Sequence, residues 1–150
     1  MFLTVHTTAA IVLTQRIANP WLAFLIGLLS HFVLDAIPHG DKDFVGADGR
    51  ITTKKFFTLA IIDIAITVIW VGFLFGQNHY THFYPALAAV IGSILPDFIM
   101  GIYLTTKNKL FRWGFNLNEK SHQIIKKNLT LNQGLILQFL IFLIFAWYLF

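Results

Sequence analysis

The stretch Pro20-Trp21-Leu22-Ala23-Phe24-Leu25-Ile26-Gly27-Leu28-Leu29-Ser30-His31-Phe32-Val33-Leu34-Asp35-Ala36-Ile37-Pro38 decides how this chain folds. From Trp21 to Ile37 it is apolar except for Ser30, His31 and Asp35, and it holds no Lys or Arg. An uninterrupted apolar run approaching the ~20 residues needed to cross a bilayer reads as a membrane helix. Pro38 closes it, because proline has no N–H with which to continue the helical ladder. His31 and Asp35 stand four residues apart, so imidazole and carboxylate share one helix face and converge on one point. His39, Gly40 and Asp41 follow at once and place further nitrogen and oxygen donors where the helix ends. One stretch thus sets two expectations, a spanning helix and a ligand cluster at its end.

Outward from it, four more apolar stretches run from Phe2 to Ile17, Phe56 to Gly76, Tyr84 to Thr105 and Leu131 to Phe150. The expected fold is all-α, a polytopic membrane bundle of about five helices forming one domain over residues 1–150. Composition agrees: 57% of the 150 residues are hydrophobic and 12% charged, with a mean hydropathy of +0.70. That is more apolar surface than a soluble domain of this size buries. The first stretch is the shortest and carries Thr4, His6, Thr7, Thr8, Thr14 and Gln15. It lacks the basic start and small-residue cleavage site of a signal peptide, so it reads as a retained helix, polar on one face. Gly72 and Gly76 form a Gly-x-x-x-Gly pair that would admit a close helix neighbour. Ile26-Gly27 before His31 and Ile91-Gly92 before Asp97 share a faint likeness, too short to define a repeat.

Lys and Arg set the expected orientation, since basic loops stay on the cytoplasmic side. The 38–55 loop holds Lys42, Arg50, Lys54 and Lys55, and the 107–130 segment holds Lys107, Lys109, Arg112, Lys120, Lys126 and Lys127. By contrast, Arg16 is the one basic residue of the first turn, and the loop from Gln77 to Phe83 has none. The N-terminus is then cytoplasmic and the C-terminus outside, with Trp21, Tyr80, Tyr84, Trp147 and Tyr148 as an outer aromatic belt. The same placement explains the net charge of +4 through topology, so a nucleic-acid partner is not expected. The 107–128 segment also mixes Phe111, Trp113, Phe115, Leu117, Ile124 and Ile125 with its basic residues, as a helix on an anionic leaflet does. It is read as a topology-setting loop, a surface element, or a lid over the site.

With that orientation His6, His31, Asp35, Asp63 and Asp97 all fall in the cytoplasmic half of the bundle, about 12 Å or less from its inner end. An isolated carboxylate costs about 3 kcal/mol at a membrane helix centre, so such acids face the interior and pair with cations or protons. The chain has no Cys, which excludes thiolate ligands and cysteine nucleophiles and leaves His and carboxylates. Imidazole with carboxylate suits zinc, manganese or iron. His6, His31, Asp35, His39, Asp63 and Asp97 are the candidate ligands of one or two divalent ions, zinc foremost. His6 and Asp97 are also the candidate catalytic groups, as general base or ligand. Each has a plainer reading as a hydrogen-bonded helix-end or interfacial residue. Ser30 and Ser121 lack a nucleophile-elbow setting. Asp41-Lys42-Asp43 and Asp48-Gly49 fail the calcium-loop spacing, His79 and His82 read as interfacial, and His122 reads as a solvated residue that could also fold back as a ligand or proton carrier.

Ser30-His31 with Asp35, Gly92 with Pro96-Asp97, and His6-Thr7 together resemble the motifs of the YdjM-type inner-membrane metal-dependent hydrolases. The resemblance touches about two-thirds of the chain. Phe98, Ile99 and Met100 stand where that family usually has a further Asp and His, and its His-Arg-Gly-x-Thr-His-Ser segment is absent. A fainter likeness, through the His-x-x-x-Asp pair, is to zinc-dependent phospholipase C, which is all-helical. The resemblance implies a metal-dependent hydrolase in a bacterial or archaeal cytoplasmic membrane, acting on a small molecule or lipid, such as a phosphate ester or lipid head group. Two alternatives stay open: a carrier or channel that uses the same acids for protons or cations, and a non-catalytic metal-binding membrane protein. Oligomeric state is not legible.

Overall fold

The computed structural model describes residues 1–40, 53–77, 82–125 and 129–150. Asp41, Asp43, Asp48, His79 and Tyr80 lie outside the described residues. The fold is all-α. Six helices are present among the described residues: α1 Leu3–Thr14, α2 Pro20–Asp35, α3 Thr53–Gly76, α4 Phe83–Thr106, α5 Arg112–His122 and α6 Leu131–Trp147. A short 3₁₀ turn, Lys109–Phe111, leads into α5. The sixth helix is α5, which lies within the segment expected to be a loop.

Local chemistry explains the helix ends. Asn19 accepts hydrogen bonds from the N–H groups of Trp21 (2.9 Å) and Leu22 (3.2 Å), with Pro20 in the first turn, the standard start of a helix. Thr130 and Gln133 form a reciprocal capping box on α6. Lys107 adopts a left-handed conformation (φ 54°) that ends α4.

Within α4, Pro96 removes the N–H that would have bonded the Gly92 carbonyl.

α1 is the central pillar. Its residues from Val5 to Ile11 are buried, and α2, α3, α4 and α6 all pack against it. Its buried threonines cost little, because their hydroxyls bond back to the helix's own carbonyls: Thr7 to Leu3 (2.9 Å), Thr8 to Thr4 (2.6 Å) and Thr14 to Ala10 (2.7 Å). Side-chain pairings along α1, such as Thr4 with Thr67 and Gln15 with Tyr148, show that α3 and α6 run in its direction. α2 runs against it, bringing Ala23 to Ala10 and Asp35 to His6.

The tightest packing joins α2 to α4. A Cβ at Gly27 would lie 2.1 Å from the Ala89 carbonyl oxygen, and one at Gly92 would lie 2.3 Å from that of Phe24. Ala10, Ala23 and Ala89, all fully buried, continue this small-residue seam. The close approach is therefore at Gly27 and Gly92 and not at Gly72 and Gly76, where nothing within the chain comes within 4 Å of a Cβ.

Phe57–Gly76 and Phe83–Thr106 are long and apolar enough to cross a membrane. The apolar helices α1, α2 and α6 are shorter, at 12, 16 and 17 residues, or about 18, 24 and 26 Å. Large apolar side chains cover the outside of the bundle, among them Val33, Val68, Ile69, Ile136 and Ile144.

Gly27→Ala and Gly92→Ala are each expected to lower stability by about 1–3 kcal/mol, since backbone must move to admit the methyl group. Gly72→Ala, in an exposed helix interior, is expected to raise it by up to about 1 kcal/mol. Thermal melts in detergent check this, and equal effects at the three glycines would contradict the packing.

Candidate metal centre

Five segments bring donors to one end of the bundle. The first turns of α1 supply His6, and the last turn of α2 supplies His31 and Asp35, with no side-chain exposure at any of the three. The residues after α2 supply His39, also buried. Asp97 comes from α4 just beyond Pro96, and His122 closes α5.

Asp35 is the hub. Its Oδ1 lies 3.1 Å from His6 Nε2, while its Oδ2 lies 3.2 Å from His31 Nε2 and 3.1 Å from His122 Nε2. The α-ammonium of Met1 donates to Oδ1 at 2.5 Å and lies 2.8 Å from His39 Nε2. The His6 and His31 rings stack with centroids 4.3 Å apart, and those of His39 and His122 are 4.8 Å apart. Two triads of donor atoms result, each with all members within 4.8 Å of one another: His6, His31 and Asp97, and Asp35, His39 and His122.

Surrounding groups orient the donors. His31 Nδ1–H donates to the Ser93 carbonyl (2.8 Å) and His39 Nδ1–H to the Ile37 carbonyl (2.7 Å). A carbonyl can only accept, so Nδ1 carries the proton in both rings and the Nε2 lone pair faces the cluster. Burial, and then the Met1 ammonium, push the His39 pKa down to about 4, which keeps this ring neutral near pH 7, the form that binds metal. Asn118, fully buried, donates to Asp97 Oδ1 at 3.1 Å. Gln138 of α6 ties two segments together, accepting from Phe2 N–H (2.7 Å) and donating to the His39 carbonyl (3.1 Å).

Despite this crowding, three buried polar atoms have no hydrogen bond: His6 Nδ1, His31 Nε2 and Asp35 Oδ2. Each such group costs about 1–3 kcal/mol if left unsatisfied. The ammonium satisfies Oδ1 and leaves these three as they are. His6 Nε2 bonds Asp35 Oδ1, but His31 Nε2 and Asp35 Oδ2, 3.2 Å apart, make no hydrogen bond, an arrangement that fits a cation held between them. These groups can therefore hold a metal ion.

No family model, curated protein or solved structure matches this chain. The cluster's chemistry must then be argued from its own geometry.

Of the residues expected from the sequence, His6, His31, Asp35, His39 and Asp97 meet in this centre. Asp63, expected as a ligand, stands outside both triads. Its Oδ2 accepts from Leu3 N–H at 2.5 Å, and its Oδ1 from Thr4 N–H at 3.3 Å and the Thr4 hydroxyl at 2.6 Å. Phe2 at the N-cap of α1 has no capping side chain, and Asp63 supplies one from α3. It thereby fixes the start of the helix that carries His6. His82, described at the opposite end of the bundle, takes no part.

Asn118 and Gln138 were not expected, and His122 was expected as a solvated residue with folding back as a ligand the alternative. For Asn118 and His122 a signal existed, since Asn118, Ser121 and His122 are spaced 0, 3 and 4 along α5 and form a polar face.

Asp63→Ala is expected to lower stability by about 0.5–2 kcal/mol, as loss of a cap does, with little change in metal affinity. Asn118→Ala is expected to weaken metal binding about 10–100-fold. Metal titrations beside thermal melts on the two variants check the assignment; equal losses of affinity would contradict it.

Proposed function

We propose that this chain is a polytopic membrane protein carrying a two-ion metal centre at its cytoplasmic end, and that it hydrolyses anionic phosphate esters. The observation that carries the reading is the Asp35 hub: two adjacent donor triads, one of which contains this buried carboxylate, with three buried donor atoms lacking hydrogen bonds.

The membrane setting draws support from the two long apolar helices and the exposed apolar belt. The short α1 need not span lipid by itself, because other helices surround it. Shorter α2 and α6 are accommodated by local thinning of the bilayer. Lys107, Lys109, Arg112 and Lys120 lie at the cluster's end of the bundle and Arg16 at the other, which supports a cytoplasmic site.

Four imidazoles and two carboxylates, without sulfur, suit zinc first and manganese or iron next. A divalent ion there supplies Lewis acidity and lowers the pKa of a coordinated water toward about 7. His6, His31 and Asp97 hold one position, and Asp35, His39 and His122 the other. Asp35 and Asp97 offset two of the four positive charges of an ion pair, so the loaded centre attracts an anion. Asp97 and His122 are 20% and 18% exposed, whereas His6, His31 and Asp35 are sealed. Substrate therefore approaches between α4 and α5, and Asp97, held through one oxygen by Asn118, is the proton acceptor at that mouth. His6, without exposure, is a ligand. The partial motif resemblance to the YdjM-type hydrolases points to the same chemistry.

A transport role needs a polar path to the far side. Beyond the cluster the bundle is filled by Ala10, Ala23 and Ala89 and by Ile11, Leu74 and Val90, which favours hydrolysis.

Elemental mass spectrometry of detergent-purified protein is expected to find two ions per chain, one in His122→Ala and none in Asp35→Asn. Chromogenic phosphate mono- and diesters are expected to be cleaved by wild type alone. No bound metal after reconstitution with zinc, manganese or iron would overturn the reading.

A further inference from the structure

One exposed stripe along α5 and its 3₁₀ lead-in is apolar. Leu110, Trp113 and Leu117 follow at i, i+3 and i+7, with Ile124 two turns further on, and they are 68, 59, 44 and 67% exposed. Within α5, at 100° per residue, Trp113 and Leu117 lie about 40° apart on a helical projection, while Leu110 precedes the helix and Ile124 follows it. Lys109 and Lys120 border the stripe, Arg112 lies further round on the same flank, and all three are exposed. From 107 to 125 the chain has four basic residues and one acidic residue, Glu119.

The side next to this stripe faces the protein. Gly114, Asn118 and Ser121 are buried, and a Cβ at Gly114 would lie 2.3 Å from Ile99 Cγ2. From this side Asn118 reaches Asp97 and His122 reaches Asp35. The apolar stripe therefore runs along the flank of α5, between the side that faces the protein and an outer side carrying Arg112, Asn116, Glu119 and Lys120. Apolar anchors bordered by Lys and Arg match the headgroup region of an anionic leaflet, where rings enter the acyl boundary and basic groups meet phosphates. Charge complementarity commits the face to that occupant.

We propose that α5 docks on anionic lipid and, because the same helix carries His122, that docking raises occupancy of the second metal position. The proposal rests on the membrane and metal readings above. Its lipid-facing and metal-facing residues are different, so the two faces can be altered separately.

The absence of Cys from the chain allows spin labels at Leu117→Cys and, as the control outside the stripe, Glu119→Cys. In nanodiscs of phosphatidylcholine mixed with phosphatidylglycerol, the label at 117 is expected to collide with oxygen more than with a nickel chelate, and the label at 119 the reverse. Zinc titration of unlabelled protein is expected to show the second ion binding about tenfold more tightly in these discs than in phosphatidylcholine alone. The triple variant Lys109→Gln/Arg112→Gln/Lys120→Gln is expected to lose that difference. Equal aqueous collision at both labels overturns docking. A label at 117 shielded from both reagents also overturns it, showing a protein partner on the face. Docking with lipid-independent affinity for the second ion overturns the coupling. Absence of metal in every disc overturns the metal reading and the coupling with it, while the collision data still decide the docking.

Discussion

A carboxylate removed from water must find compensating charge, and Asp35 is the group on which this structure turns. Stranding it costs several kcal/mol. Its environment is accordingly assembled from the start of α1, the residues after α2 and the end of α5, which deliver the Met1 ammonium, His6, His39 and His122 to it. These segments are remote in sequence and share little else. The ammonium and the imidazoles answer part of the demand, yet Asp35 Oδ2, His31 Nε2 and His6 Nδ1 stay without hydrogen bonds. The metal pair proposed above would answer the remainder, because lone pairs that repel one another would become ligands of a cation.

The scaffold's irregularities serve this convergence. Gly27 and Gly92 let α2 and α4 touch through backbone, which sets His31 beside the Ser93 carbonyl just before the Pro96 break. Gly40 takes φ +83°, and a Cβ at Gly134 would lie 2.1 Å from the His39 carbonyl, so the segment bearing His39 can lie on the N-terminal turns of α6. Gln138 then fastens that segment and the start of α1 with one carboxamide. Asp63 acts in the same sense from α3, fixing by its hydrogen bonds to Leu3 and Thr4 where α1 begins. Chemistry is thus concentrated at one end and close packing holds it there.

Much of this was legible in the residues. Helix positions followed from apolar runs, and the His31 and Asp35 pair from i, i+4 spacing, because both are local properties. His6 and Asp97 were found by depth alone. Depth also pointed to Asp63, but depth says how far in a carboxylate lies and not which neighbour it meets; here Asp63 meets the uncapped start of α1. Gly72 and Gly76 had the right spacing for a close contact but no helix opposite them. His122 lay in a segment read as a loop, and the helical spacing of Asn118, Ser121 and His122 gains meaning only once α5 is seen against α4. Pairwise encounters between distant segments are what a single sequence does not display.

The central claim is that the two donor triads about Asp35 each hold a metal ion. X-ray absorption at the metal K-edge on purified, zinc-loaded protein tests it most directly. The account predicts nitrogen and oxygen ligands at about 2.0–2.2 Å with imidazole scattering, and a metal–metal vector near 3.5–4 Å. A spectrum of hexaaquo or buffer-bound zinc, with neither imidazole nor metal–metal scattering, would contradict it.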